Sequence, residues 1–118
     1  MQMAKKVEEA AALVPGKKSL AMEAFAKALR QIPAIICDNA GMDSAAVVTE
    51  LRAAHAAEGD ACRMGVDVVA GEVGNMEQLG IYESYRVKSQ VLLSATEAAE
   101  MILRVDDIVK AAPRQREG

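Results

Sequence analysis

The chain has 118 residues, which gives room for one domain with a modest core. Apolar residues make up 52% of it and aromatic ones only 3%, so that core must be built from Ala, Val, Leu, Ile and Met, as in closely packed helices. A net charge of −3 argues against nucleic acid, and no apolar run approaches the roughly 20 residues of a membrane helix, so neither is an expected partner.

Residues 2 to 14 read as a helix with Met3, Val7, Ala10, Ala11 and Val14 on one face. Acidic Glu8 and Glu9 stand where a secretory signal has its apolar centre. No Ser, Thr, Asp or Asn precedes the first periodic residue, so the helix starts without a cap, as expected of a piece of a longer chain. Pro15-Gly16 ends it. Ser19 is the predicted N-cap of the next helix, whose face carries Ala21, Phe25, Ala28, Leu29, Ile32 and Ile36, with Pro33 expected to kink it or loosen one turn. Asn39-Ala40-Gly41 stops that helix, because Asn and Gly both tolerate left-handed geometry. Asp43 or Ser44 caps a third helix with Val47, Leu51, Ala54 and His55 in line, closed by Glu58-Gly59-Asp60.

Met64 to Val73 is different in kind. It alternates, contains β-branched residues and has Ala70-Gly71 at a turn position, so it predicts a β-hairpin. Asn75 is expected to cap a short turn ending at Leu79-Gly80, and Ile81 to Ser84 form a connector in which Ser84 caps the next helix. The stretch from 87 to 107 opens as that helix, with Val87, Val91, Leu92, Ala95, Ala98, Ala99, Ile102 and Leu103 on a broad face expected to be buried, and changes character after Arg104. Ser94, Ala95, Ala98 and Ala99 would let a neighbouring helix approach closely. Val105 to Val109 reads as a short strand, and residues 113–118 as a disordered tail. The fold class is therefore mainly α, with one small hairpin and a short C-terminal strand.

Few residues announce chemistry. There is no nucleophile elbow, Walker loop or His cluster, and Cys37 and Cys62 match no metal or redox spacing, which makes a reducing, cytosolic setting the default. His55 reads as packing rather than as a ligand, the seven Met residues as core filler, and Asp106-Asp107 as capping or solvated acids rather than a cation site. Gly65, Gly71, Gly74 and Gly80 fall in one short span, where backbone could approach a flat ligand or simply turn.

The segments FAKALRQIPAIICDNAGMD, LRAAH, GVDVVAGEVGNMEQLGIYES and VKSQVLLSATEAAEMILRVDDIVKAAPR, in this order, resemble the C-terminal part of the equatorial domain of a group II chaperonin. Within that family LRAAH, Glu83-Ser84 and KAAPR point to the beta branch of the eukaryotic cytosolic chaperonin, CCT or TRiC. The loop EGDACRM departs from it by being slightly long. The resemblance implies a helical ATP-binding equatorial domain over residues 1–112, with partners in a stacked double ring of eight-membered rings that folds unfolded clients in the cytoplasm. It places Asp67, Val68 and Ile81 by the adenine, Glu83 by the ribose and Lys88 at the nucleotide. Lys88 stands in the first turn of its helix, where the helix dipole prefers an anion, and an anionic ligand would relieve that mismatch. The family's phosphate loops, magnesium ligand and water-activating acid match no part of the 118 residues. The chain alone is thus expected to supply one wall of the ATP pocket and no magnesium ligand or ATPase activity. The alternative is a stand-alone helical interaction protein without nucleotide chemistry.

Overall fold

In the computed structural model, which describes residues 1–105, the first two helices are α1 (Gln2–Leu13) and α2 (Lys17–Asn39). The chain reverses between them at Gly16, whose φ of 80° lies where a side chain would be strained. Ala4 and Ala11 on α1 and Ala26 on α2 are buried, and methyl-sized side chains there allow the helices to lie close. The Glu8 carboxylate and Arg30 guanidinium form a two-pronged ion pair that fixes their mutual rotation.

The buried stripe of α2 runs one residue on from the expected one, while on α1 the expected Val7, Ala11 and Val14 are protected and Ala4 and Glu8 replace Met3 and Ala10. On α2 the protected residues are Met22, Ala26, Leu29, Arg30, Pro33 and Cys37, whereas Phe25, Ile32 and Ile36 are exposed. On α1, Ala4, Val7, Glu8 and Ala11 turn inward, and Met3 and Ala10 outward. One residue is a rotation of roughly 100°. The correction has a physical cause, since close approach selects the alanines while the bulkier apolar row is left facing out. α2 also begins earlier than expected, with Gly16 at the cap position and Ser19 inside the first turn, donating from its hydroxyl to Gly16 O at 2.8 Å. Pro33 does not end the helix, which is continuous to Asn39 and stops before Gly41, at φ 72°.

Asp43 caps α3 (Ser44–Glu58), accepting from Ala45 N and Ala46 N at 3.1 Å each. Val47 and Leu51 are buried, and with Cys37 and Val73 they form a small core that Met42, Met64 and Val66 flank. A single 3-10 turn, Gly59–Ala61, leads into the hairpin of β1 (Met64–Asp67) and β2 (Glu72–Asn75). These strands pair antiparallel, Met64 opposite Asn75 and Gly65 opposite Gly74. α3 packs against both strands, so the hairpin sits at the end of the three-helix layer.

α4 (Tyr85–Leu103) belongs to a second compact unit that starts at Glu83, the first being Met1–Tyr82, and each is described by itself. Its length and register agree with the periodicity, but none of its residues is buried. The broad face expected to be covered, with Val87, Val91, Ile102 and Leu103, is exposed. Ser84 occupies the cap position without a side-chain capping bond. The expected strand, apart from exposed Val105, and the expected tail lie outside the described residues, as do Asp106 and Asp107.

Candidate functional site

The hairpin turn is built by one side chain. Asp67 Oδ1 accepts from Val69 N at 2.9 Å and Ala70 N at 3.0 Å, and Asp67 O accepts from Gly71 N at 2.9 Å. Gly71, with φ 77°, completes the reversal. One carboxylate oxygen of Asp67 is thereby committed to its own loop, and Val68 follows it with 50% exposure. Asn75 repeats the device one step on, its Oδ1 accepting from Glu77 N at 3.0 Å and Gln78 N at 3.2 Å. The turn closes with Ile81 N donating to Met76 O at 2.9 Å, which leaves the Ile81 side chain 54% exposed. Val68 and Ile81 are therefore apolar side chains held outward by satisfied backbone.

The glycines of this unit are explained locally. A Cβ on Gly65 would lie 2.5 Å from Met76 Cγ, and one on Gly74 would lie 3.2 Å from Asp67 Cβ and 3.3 Å from Leu79 Cδ1. They are small because neighbouring side chains fold across the hairpin. Gly71 and Gly80 are needed for their positive φ.

In the second unit, Glu83 and Lys88 form an ion pair across the start of α4. Lys88 N donates to Ser84 O, the first hydrogen bond of that helix, so its ammonium does stand in the first turn. Glu83 supplies the negative charge that the dipole and Lys88 both favour, and no ligand is required for that balance. The two side chains are 56% and 40% exposed, so opening the pair costs about 1 kcal/mol or less. Carboxylate and ammonium are thus available to a polar ligand.

Clefts of about 390 to 420 Å³ open among α1, α2 and α3, all lined by Arg30, and none includes these five residues. Concavity and candidate chemistry disagree here. The chemistry carries more weight, because the Glu8–Arg30 pair beside the clefts is less exposed and two-pronged, whereas the Glu83–Lys88 pair is more exposed and opens more readily. Among the described residues no group of His, Cys, Asp and Glu is arranged to hold a metal ion, and no helix is long and apolar enough to cross a membrane. Cys37 and Cys62 are free and buried, and burial pushes the Cys37 thiol up, which keeps it protonated and inert.

A family model described as the TCP-1/cpn60 chaperonin family matches residues 1–113. The chain belongs to that family. Among chaperonin relatives it is 60% identical to T-complex protein 1 subunit beta of Arabidopsis thaliana, over 99% of this chain and 22% of that protein. It is 59% identical to T-complex protein 1 subunit beta of Homo sapiens, over 98% of this chain and 21% of that one. The chain therefore spans about a fifth of the length of the curated relatives it matches. A solved structure, the open state monomer of a group II chaperonin from Methanococcoides burtonii, superposes with a TM-score of 0.81 at 36% identity, covering 88% of this chain and 25% of that one. The chaperonin resemblance read from the sequence, down to the beta branch, and the mainly α fold with a small hairpin are both borne out.

Sequence reasoning missed the Glu83–Lys88 pair and what His55 does. For the first the sequence offers only two opposite charges flanking a cap position, which does not fix their pairing; for the second its only signal is a histidine one turn from a helix end.

Proposed function

We propose that this chain forms one wall of the ATP pocket in a chaperonin subunit of the beta branch. The observation that carries this is the outward presentation of Val68 in the Asp67 turn and of Ile81 after the Met76 turn, in a chain whose relatives are chaperonin subunits. Flat adenine favours apolar side chains on rigid backbone. Within the first unit the free oxygen of Asp67 accepts from an exocyclic amine; within the second, taken by itself, the family resemblance gives Glu83, once released from Lys88, the role of accepting from ribose hydroxyls. Lys88 then meets phosphate as a compact cation. Bound ATP supplies the phosphoanhydride whose hydrolysis drives conformational change. The donor set fits the base and sugar, and magnesium would be held by residues other than those described.

At the coarser level the chain serves a chaperone. We infer further that the chaperone is a stacked double ring of eight-membered rings in the cytoplasm, acting on unfolded proteins, with residues 1–112 part of its equatorial domain; relatives that are T-complex protein 1 beta subunits support this reading. A second reading, a stand-alone helical interaction module, draws on the exposed apolar row of α2. Nucleotide binding separates the two. In a chaperonin subunit carrying this sequence, Glu83→Ala is expected to weaken ATP binding by roughly 1 to 3 kcal/mol, the scale of a lost charge-assisted hydrogen bond. Lys88→Ala should weaken ATP more than adenosine. Isothermal titration with both ligands is the measurement, and unchanged affinity in both variants would overturn the nucleotide-wall reading and return the pair to a surface role.

A further inference from the structure

LRAAH ends in the chain's only histidine, and nothing in the nucleotide-wall reading uses it. His55 lies in the last turn of α3, half-buried, with Nε2 3.0 Å from Met64 O. That carbonyl has no ladder partner. Met76 N donates to Arg63 O at 2.9 Å, and Met64 stands opposite Asn75, so alternation along an antiparallel pair turns Met64 O away from β2. A carbonyl can only accept, so Nε2 carries the proton, and Nδ1 is left as a buried atom with no hydrogen-bond partner in the structure. The backbone around His55 is held as well: Gln2 Nε2 donates to His55 O at 3.1 Å and to Gly59 O.

We infer that His55 is a positioning residue for the nucleotide wall, anchoring the hairpin edge at Met64 to α3. The link runs onward through named bonds. Met64 starts β1, which ends at Asp67 and its turn; across the ladder is Asn75, whose side chain shapes the segment leading to Ile81. One ring nitrogen thus sets where Asp67, Val68 and Ile81 stand relative to the helical layer. A two-stranded hairpin is marginal by itself, so an anchor on its outer edge has a large effect on its order. The inference rests on the nucleotide-wall reading for its functional part, but the anchor stands on geometry alone.

The test has parts that fail separately. Labelling the chain with ¹⁵N-histidine gives one imidazole, whose ring shifts, in solution or by magic-angle spinning, should show the Nε2–H tautomer; an Nδ1–H tautomer overturns the anchor. In the full chain His55→Leu should raise hydrogen exchange in residues 64–82 by about tenfold, the scale of one lost hydrogen bond, while α2 is unchanged. His55→Gln, which places an amide donor near Nε2, should restore protection. In a chaperonin subunit carrying the sequence, ATP affinity should follow the same order, about tenfold weaker for Leu and recovered for Gln. Equal hairpin protection in wild type and His55→Leu overturns the anchor. Lost protection with unchanged ATP affinity overturns the positioning role. Absence of any effect of Glu83→Ala and Lys88→Ala on nucleotide, with the tautomer and exchange as stated, overturns the wall reading and leaves the anchor.

Discussion

A methyl group added at Gly65 would sit 2.5 Å from Met76 Cγ and 2.8 Å from Met76 Sδ, closer than side chains tolerate. Met76 must then leave the hairpin surface, so Gly65→Ala is expected to destabilise the first unit by about 1 to 3 kcal/mol. Urea unfolding measures this, and Met76→Ala in the same chain should recover much of the loss; no recovery would mean that the backbone, not the contact, requires the glycine. The Glu8–Arg30 pair makes a second residue-level case. Arg30 beside it holds the Glu8 carboxyl below its ordinary value of 4.5. A lowered folded value means that the pair's stabilisation is present above the ordinary value and is lost as pH falls through the folded one. Both side chains are partly exposed, so the amount is at most about 1 kcal/mol. Glu8→Gln should lower the melting temperature near neutral pH and converge with wild type in acid. A constant difference across the titration would count against the pair. Of the site residues, Glu83 and Lys88 were legible singly, because charge and position are local. Their pairing was not, because it depends on side-chain rotamers.

At the scale of elements, periodicity located the four helices and the hairpin. It misplaced the buried stripe of α2 by one residue and that of α1 only in part, at Met3 and Ala10. An apolar period says that a face exists; which face wins depends on what lies opposite, and here the buried Ala4, Ala11 and Ala26 allow closer packing than Phe25 or Ile32 would. α3 was read correctly because Val47 and Leu51, spaced i, i+4, form a row and its other large apolar side chain, Val48, has no apolar partner at that spacing. Leu51 is 3% exposed, at the point where α2, α3 and the hairpin meet. Leu51→Ala is expected to cost about 2 to 5 kcal/mol, through lost burial and the cavity left behind. Chemical denaturation provides the number, and a loss below about 1 kcal/mol would show that the small core is not what holds the hairpin to the helices.

For the whole molecule, the exposed apolar rows are the dominant fact. Phe25, Ile32, Ile35 and Ile36 lie along α2, and Val87, Val91, Ile102 and Leu103 along α4, all in contact with solvent. Contiguous apolar surface of this kind drives association. The chain by itself is expected to self-associate at roughly micromolar to millimolar concentrations, the range in which such surfaces aggregate. Replacing Phe25 and Ile32 by Lys should reduce association with helicity retained. Light scattering and circular dichroism together decide it, and a monodisperse monomer across that range would show that the rows are satisfied within one chain.

The sequence by itself determined the family, the order of the elements, a cap at Asp43 or Ser44, the hairpin, the break at Pro15-Gly16 and the left-handed stop at Gly41. Each of these is set by residues within a few positions of one another, or by a long run of identities that no rearrangement in space alters. Only the tertiary structure decided which stripe of α1 and α2 is buried, that α4 keeps its apolar face exposed, and why Gly65 and Gly74 are small. It alone gave His55 a carbonyl to hold. These outcomes depend on atoms from distant parts of the chain competing for the same space and the same hydrogen bonds, and spacing along a sequence carries no record of that competition.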